Sequence, residues 1–250
     1  MGYGSITIDT NGYLFHDILT RLSPREVDYF SFSLDGATRQ TNDRLRGEGS
    51  YERCLTGIEQ ATALGFNTSL IYTVSSINLH ELDRMPALLK KLGIRRFFIQ
   101  VIGLRGKSAE GACGNDPEGL QVDPVSWLKI VPEVAGISAR MGVKTVYPKV
   151  FLNPEEPFEC AGLAAENYFI FPNGRVYRCP LCEDYPLHSM YFEGDRLKTA
   201  GKINESDLFH LNIPEGCVMN KLLQPGNLSY GPDGAVEHRI ACCMLKEEIG

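Results

Sequence analysis

The sequence predicts an α/β fold in two parts: helices and strands alternating as far as residue 147, then a small cysteine-rich region built on a β-hairpin. Three observations predict it. Short β-rich runs alternate with stretches of helical apolar periodicity. Three junctions, Leu64-Gly65-Phe66, Leu92-Gly93-Ile94 and Met141-Gly142-Val143, each close a helix and open a strand. Six of the eight cysteines fall after residue 159. Helices set between short strands imply parallel pairing through right-handed crossovers, which leaves an open α/β sheet or a barrel.

The elements follow in order. Residues 4–10 read as a strand closed by the turn pair Asn11-Gly12, and Leu14, Phe15, Ile18, Leu19 and Leu22 form one helical stripe over 13–22. Residues 29–34 are the next strand. Ser50 is placed to cap a helix over 51–64 that stops at Gly65. Residues 67–74 are a strand. Asn78-Leu-His-Glu81 has capping-box spacing and opens a helix to Leu92, before a strand over 96–101. Asp123-Pro124 supplies a cap and a first-turn proline for a helix ending at Met141-Gly142, and 143–147 is extended. Met1-Gly2-Tyr3 repeats the helix-to-strand junction without its helix, so the expectation is that units of a larger fold precede it.

The 250 residues, 43% of them hydrophobic, carry a formal charge of −6. They suit one large domain, or one domain with a small appendix. No basic stripe favours nucleic acid, no run approaches a membrane span, and no secretory signal is visible. A reducing cytoplasm is the default expectation, and there clustered cysteines bind metal or do redox chemistry more often than they form disulfides.

Residues 148–159, with three prolines, read as a linker. Beyond it Asn173-Gly174 centres a hairpin between 168–171 and 175–177, which sets Phe171 opposite Val176 and Tyr168 opposite Cys179. Residues 184–204 are polar and weakly periodic, and 206–211 suit a helical turn. A region with so little core needs a staple, and a bound metal is the usual one. Cys160, Cys179, Cys182, Cys217, Cys242 and Cys243 are the candidate ligands, for zinc or an iron–sulfur cluster. Adjacent side chains on extended backbone point apart, so one of Cys242 and Cys243 is expected to ligate. Cys54 and Cys113 read as incidental. The five histidines form no metal spacing.

A second polar cluster stands where strands end. Ligands of parallel α/β folds bind at the carboxyl ends of strands, where Ser33 and Asp35 fall. Arg46, in the loop read from Thr41, either forks onto a carboxylate or is a solvated side chain. Thr73, Asn78, Gln100 and Gly103 end later strands, and each either faces the same cavity or serves as a turn or cap. Gly103-Leu-Arg-Gly-Lys107 is only loosely a phosphate cradle.

Taken together, Thr10-Asn11-Gly12, Ser31-Phe-Ser33-Leu-Asp35-Gly36 and Asp43-Arg-Leu-Arg46-Gly-x-Gly-Ser-Tyr51 resemble the middle of a radical S-adenosylmethionine (radical SAM) enzyme. Val74 through Asn78 and Gln100-Val-Ile-Gly103 fit its next two strands. Cys160-x13-Gly174-x4-Cys179 resembles the opening of a SPASM or twitch auxiliary-cluster domain. The resemblance implies a partial (β/α) TIM-like barrel over 1–147, lacking its first units, and an auxiliary domain over 160–250. It implies S-adenosylmethionine held with the help of Ser33, Arg46 and Asn78, Asp35, Thr73 and Gln100 being further candidates. It also implies an auxiliary 4Fe-4S cluster on Cys160, Cys179, Cys217 and Cys242 or Cys243, with Cys182 competing for one place. Such enzymes reduce S-adenosylmethionine with a 4Fe-4S cluster to make a 5'-deoxyadenosyl radical, which takes hydrogen from a peptide or small-molecule substrate. Flavodoxin or ferredoxin is the kind of electron donor implied. The radical-generating cluster sits on Cys-x3-Cys-x2-Cys, which these 250 residues lack. That cluster is therefore expected only in a full-length protein, and this chain alone is expected not to cleave S-adenosylmethionine. Two other readings stand beside this one: a zinc-stapled scaffold derived from a barrel, and a barrel lyase or aldolase with incidental cysteines.

Overall fold

The computed structural model describes residues 3–103, 119–152, 155–183, 185–201 and 203–250. The chain divides into two compact units: residues 1–148 with 246–250, and residues 149–245. The loosely cradle-like Gly103-to-Lys107 loop beyond its first residue, and Cys113, lie outside the described residues.

The first unit is one mixed sheet. Strands β1 (Thr7–Thr10), β2 (Tyr29–Ser33), β3 (Thr68–Val74), β4 (Arg96–Val101) and β5 (Lys144–Pro148) lie side by side in chain order, each parallel to the next. The C-terminal strand β12 (Lys246–Ile249) returns antiparallel to β5. Helices α1 (His16–Leu19), α2 (Arg39–Arg46), α3 (Ser50–Ala63), α4 (Met85–Lys91) and α5 (Pro124–Arg140) fill the connections. Gly65, Gly93 and Gly142 at the repeated junctions all take positive φ (84, 69 and 81°), the left-handed close that a side chain resists.

Strand alternation sorts this sheet into two faces. One carries Phe30, Phe32, Leu70, Tyr72, Phe97 and Ile99, all fully buried. Phe15 packs edge-on against Phe30 and Phe32, and Phe66 against Phe30. The other face carries Asp9, Ser31, Ser33, Ser69, Thr73, Arg96 and Gln100. Lys246 on β12 bears electrostatically on Asp9 of β1, though these strands are the two ends of the sheet. The sheet therefore curls, and the polar face is its inner one.

The elements differ from expectation in instructive ways. The stripe over 13–22 yields only one turn, α1. The Thr41 loop is a helix, α2, capped by Thr38, whose side chain accepts from the Thr41 N–H. Ser50 is not a cap: Gly49 holds that position, and the Ser50 hydroxyl donates to Asp43 Oδ1 at 3.0 Å. Asn78 makes no capping bond either, and a 3₁₀ stretch, Leu79–Arg84, precedes α4.

In the second unit, β7 (Phe169–Ile170), β8 (Arg175–Tyr177), β9 (Met190–Glu193) and β10 (Arg196–Thr199) form an antiparallel sheet in the order β10-β9-β8-β7. The β7–β8 register is one residue from expectation: Ile170, not Phe171, pairs with Val176. The Phe171 N–H reaches the Arg175 carbonyl, so the loop is Pro172-Asn173-Gly174 with Gly174 at φ 77°. Asn173 Oδ1 accepts from the Arg175 N–H at 2.9 Å and fixes this three-residue turn. The β9–β10 hairpin lies in the stretch read as weakly periodic. Within the stretch read as linker, β6 (Phe151–Leu152) pairs with β11 (Arg239–Ile240). Short helices α6 (Ala161–Ala164), α7 (Glu205–Phe209) and α8 (Val218–Leu223) complete the unit.

Candidate functional site

In the first unit the strand ends are tied together by buried polar side chains. Asp35 follows β2. Its Oδ1 accepts from the Thr73 N–H at 2.7 Å and its Oδ2 from Arg46 Nε at 2.6 Å. Its own N–H donates to Asn42 Oδ1 at 2.8 Å. Asn78, fully buried, donates from Nδ2 to the carbonyls of Asp35 and Thr73, both at 2.9 Å, and accepts from the Ser75 N–H at 2.7 Å. Both amide hydrogens and the oxygen are therefore engaged, and this side chain welds the ends of β2 and β3. Gly36 is small because α2 comes close: a Cβ there would stand 2.4 Å from the Asn42 backbone nitrogen.

Two carboxylates finish the scaffold. Glu81, 3% exposed, accepts from the Ala37 and Thr38 N–H groups and from the Thr38 and Thr41 hydroxyls. Burial raises its pKa, but those four donors outweigh it and hold the group below its ordinary value. Asp43 accepts from the N–H groups of Gly49 and Tyr51 and from Ser50 Oγ. Here too burial pushes upward, and the Tyr51 and Gly49 amides, the Ser50 hydroxyl and Arg39 bring the carboxyl down to about 2. Asp43 does for α3 what Ser50 was expected to do.

All six residues predicted for the cofactor stand at the carboxyl ends of β2, β3 and β4. Asp35, Arg46, Asn78 and the Thr73 backbone belong to the network. The carboxylate that Arg46 meets is the chain's own Asp35. Ser33 is half-buried two residues before Asp35, and no hydrogen bond engages its hydroxyl among the described residues. Gln100 is exposed, beside Thr73 on the neighbouring strand. Asn42, Asp43 and Glu81 were missed. For Asn42 and Asp43 the signal is local: short polar side chains near glycine turns, where free backbone N–H groups need acceptors; Glu81 meets donors 40 to 44 positions away and has no such signal.

In the second unit, Cys160, Cys179, Cys217 and Cys242 line one hollow, with Phe158, Phe209 and Met244. Backbone pairing brings two of them together: Ile240 of β11 accepts from the Cys217 N–H at 3.0 Å, and Cys242 follows two residues later. Cys160, Cys179 and Cys217 share a local design. Each has extended backbone and immediately precedes a helical turn. None closes a capping hydrogen bond, yet backbone N–H groups beyond each act on its sulfur.

Burial pushes Cys160 up to about 11, against the Gly162 and Leu163 amides. It also raises Cys217, against Asn220. Cys179 is raised by its hydrogen bond with Cys182 and by burial. Cys242 runs the other way, down to about 6: the Cys243 thiol hydrogen-bonds it, and the amides of Met244, Ala161 and Leu245 add to the effect against burial. Amides aimed at sulfur favour thiolate, the form that binds metal.

Cys182 is fully buried beside Cys179, and Cys243 is half-buried beside Cys242, so neither stands among the hollow's lining residues. Among the described residues no three His, Cys, Asp or Glu side chains are arranged to hold a single metal ion. Cys54, far from this group in sequence, is pushed up to about 12 by burial and is inert.

Residues 2–89 match the family model of the Radical SAM superfamily. Over those residues the chain is similar to that superfamily. The match spans Ser33, Asp35, Arg46, Thr73 and Asn78, and also the missed Asn42, Asp43 and Glu81; Gln100 lies beyond it. Over 107 residues, 42% of the chain, the sequence is 34% identical to the AdoMet-dependent heme synthase of Methanosarcina barkeri, covering 31% of that protein. Over 258 positions, 96% of the chain, it is 25% identical to the mycofactocin maturase MftC of Mycobacterium ulcerans, covering 62% of that protein. The solved structure of Streptococcus suis SuiB bound to its precursor peptide SuiA shares the fold, with a TM-score of 0.54 at 13% identity. It is matched over 85% of this chain and 49% of SuiB. The chain thus spans between 31% and 62% of the curated relatives cited here. No described helix is long and apolar enough to cross a membrane.

Proposed function

We propose that this chain is a radical SAM module of the peptide-maturase kind, holding S-adenosylmethionine on its partial barrel and one auxiliary 4Fe-4S cluster on Cys160, Cys179, Cys217 and Cys242. The observation that carries the reading is the shared hollow: four thiols, 82 positions apart from first to last, line one small space. The donor set fits the group. Its donors are all sulfur, amides act on each member, and the remainder is apolar apart from Arg178. Cys182 and Cys243 act on the ligands by hydrogen bonds instead of competing for them.

A tetrahedral zinc needs every sulfur about 2.3 Å from one point. A cluster spreads its thiolates over separate irons and tolerates a wider ring. The cluster, when bound, supplies one-electron chemistry or a site for substrate. In the first unit, Asp35 and Asn78 fix the strand ends. That leaves Ser33, the Thr73 hydroxyl, Gln100 and the outer nitrogens of Arg46 to meet S-adenosylmethionine. A peptide is the proposed substrate, a reading supported by the relative named a maturase. A flavodoxin- or ferredoxin-type protein is the proposed electron donor, and the cytoplasm the proposed location.

Anaerobic reconstitution followed by iron, sulfide and zinc analysis tests the cluster. Iron with matching sulfide, lost in the Cys160→Ser, Cys179→Ser double variant, is the expected result; zinc alone would sink it. Equilibrium binding of S-adenosylmethionine tests the barrel. Arg46→Ala should weaken it about tenfold, the effect of removing one charge-assisted contact. With no Cys-x3-Cys-x2-Cys present, these 250 residues should release no 5'-deoxyadenosine under reducing conditions.

A further inference from the structure

The inner face of the first unit's sheet holds three buried polar groups that nothing described so far uses. Ser31 on β2 pairs with Ser69 on β3, which pairs with Arg96 on β4, so the three form one row across adjacent strands. Ser31 and Ser69 are each 1% exposed. Neither hydroxyl has a hydrogen-bond partner, and Arg96 Nε is also buried without one. Three neighbouring orphans are costly, because each buried unsatisfied group forfeits its hydration without a replacement partner.

Arg96 itself is held in a definite pose. Its guanidinium carbon lies 4.7 Å from the Tyr29 ring centre and 5.5 Å from that of Phe98. Tyr29 is on β2 and Arg96 on β4, so the side chain reaches across the intervening β3. Arg96 is half-buried and has no ion-pair partner among the described residues. The other charges on this face are Asp9, Lys246, Lys144 and Glu248. The last two pair with each other, and Lys246 bears on Asp9. Among the described residues Arg96 is left as the cation of this face without a counter-ion. A planar fork held between two rings suits a planar, bidentate acceptor.

We propose that the Ser31–Ser69–Arg96 row is a carboxylate-recognition site that anchors the acidic group of the substrate. The carboxylate would take the Arg96 fork and the two hydroxyl donors, satisfying all three orphans. Two residues of strand advance about 6.6 Å. The row therefore stands one step below Ser33 and two steps below Thr73 and Gln100 on the same face. A substrate anchored there extends toward the proposed S-adenosylmethionine residues. That role as substrate anchor rests on the proposed function; the anion site itself does not.

The test is a titration followed through the Arg96 Nε–H resonance, assigned by its loss in Arg96→Lys. Succinate is the probe, with succinamide as its uncharged isostere and inorganic phosphate as a non-planar anion. Succinate should shift the resonance to saturation, and succinamide should not. Removing the hydroxyls in Ser31→Ala, Ser69→Ala should weaken succinate roughly tenfold. Each single variant gives the same reading should the double variant fold poorly. No saturable shift, an equal response to succinamide, tighter binding of phosphate, or indifference to both serines would each overturn the site. The titration needs neither iron nor S-adenosylmethionine, so its failure is distinct from failure of the cofactor reading.

Discussion

The first unit buries hydrocarbon: Phe30, Phe32, Leu70, Ile58, Leu89 and Val131 are closed off from solvent, and Trp127 nearly so. The second unit buries Val176, Tyr177, Phe209 and Ile240, but it also spends Cys179, Cys182, Cys217 and Cys242 on core positions. Its strands run two to four residues and its helices four to six. The first unit thus has what it needs to hold its shape unaided, through apolar area and a satisfied polar network. The second sets four buried thiols among a smaller apolar core that also includes Phe151, Leu152, Val218 and Met219. On the proposed reading a bound cluster completes such a region, and its binding free energy becomes folding free energy.

The sharpest way to break this comparison is to remove the thiols. Cys160→Ser with Cys179→Ser should abolish bound iron and open residues 149–245 to proteolysis, while the sheet of the first unit survives limited digestion. Equal protection of both units would show that the second needs no staple. Next in size, Phe32→Ala should cost about 3–5 kcal/mol in the unfolding transition of the first unit. Iron content should not change; a parallel loss of iron would mean the two regions are not independent.

Glu81→Gln is smaller. It replaces a carboxylate serving four donors by an amide with one acceptor oxygen, for about 1–3 kcal/mol on the same transition. Smaller again is the acid response of Asp43. Its carboxyl lies at about 2 when folded against an ordinary 3.8, so its stabilisation is complete above the ordinary value and disappears as pH falls toward 2. Asp43→Asn should flatten unfolding free energy against pH across that window; an unchanged slope would place the acid sensitivity elsewhere. The least effect belongs to the exposed ion pair of Lys198 with Glu193: Lys198→Ala should change stability by less than about 1 kcal/mol.

Much of the first unit was legible from periodicity. The strands over 29–34, 67–74 and 96–101 and the helix opened by Asp123-Pro124 fall close to where alternation and capping chemistry put them. The misses share a cause. Arg39–Arg46 is polar along most of its length, so no apolar stripe announces α2, and its buried residue is Asn42. Ser50 and Asn78 have cap chemistry, but longer-range partners claim their side chains: Asp43 for the first, Asp35, Thr73 and Ser75 for the second. In the second unit the Asn-Gly pair announced a turn, yet one hydrogen bond from Arg175 to Asn173 moved the register by a residue.

By itself the sequence determined the alternation of helices and strands, the polar character of the strand ends and the gathering of six cysteines beyond residue 159. These are properties of residue type and spacing, and they act locally. Only the tertiary structure decided which cysteines face a common hollow, because Cys160 and Cys242 meet through pairings between segments far apart in the chain. It alone also showed that Ser31, Ser69 and Arg96 share a row, since strand register, not sequence distance, sets which side chains become neighbours.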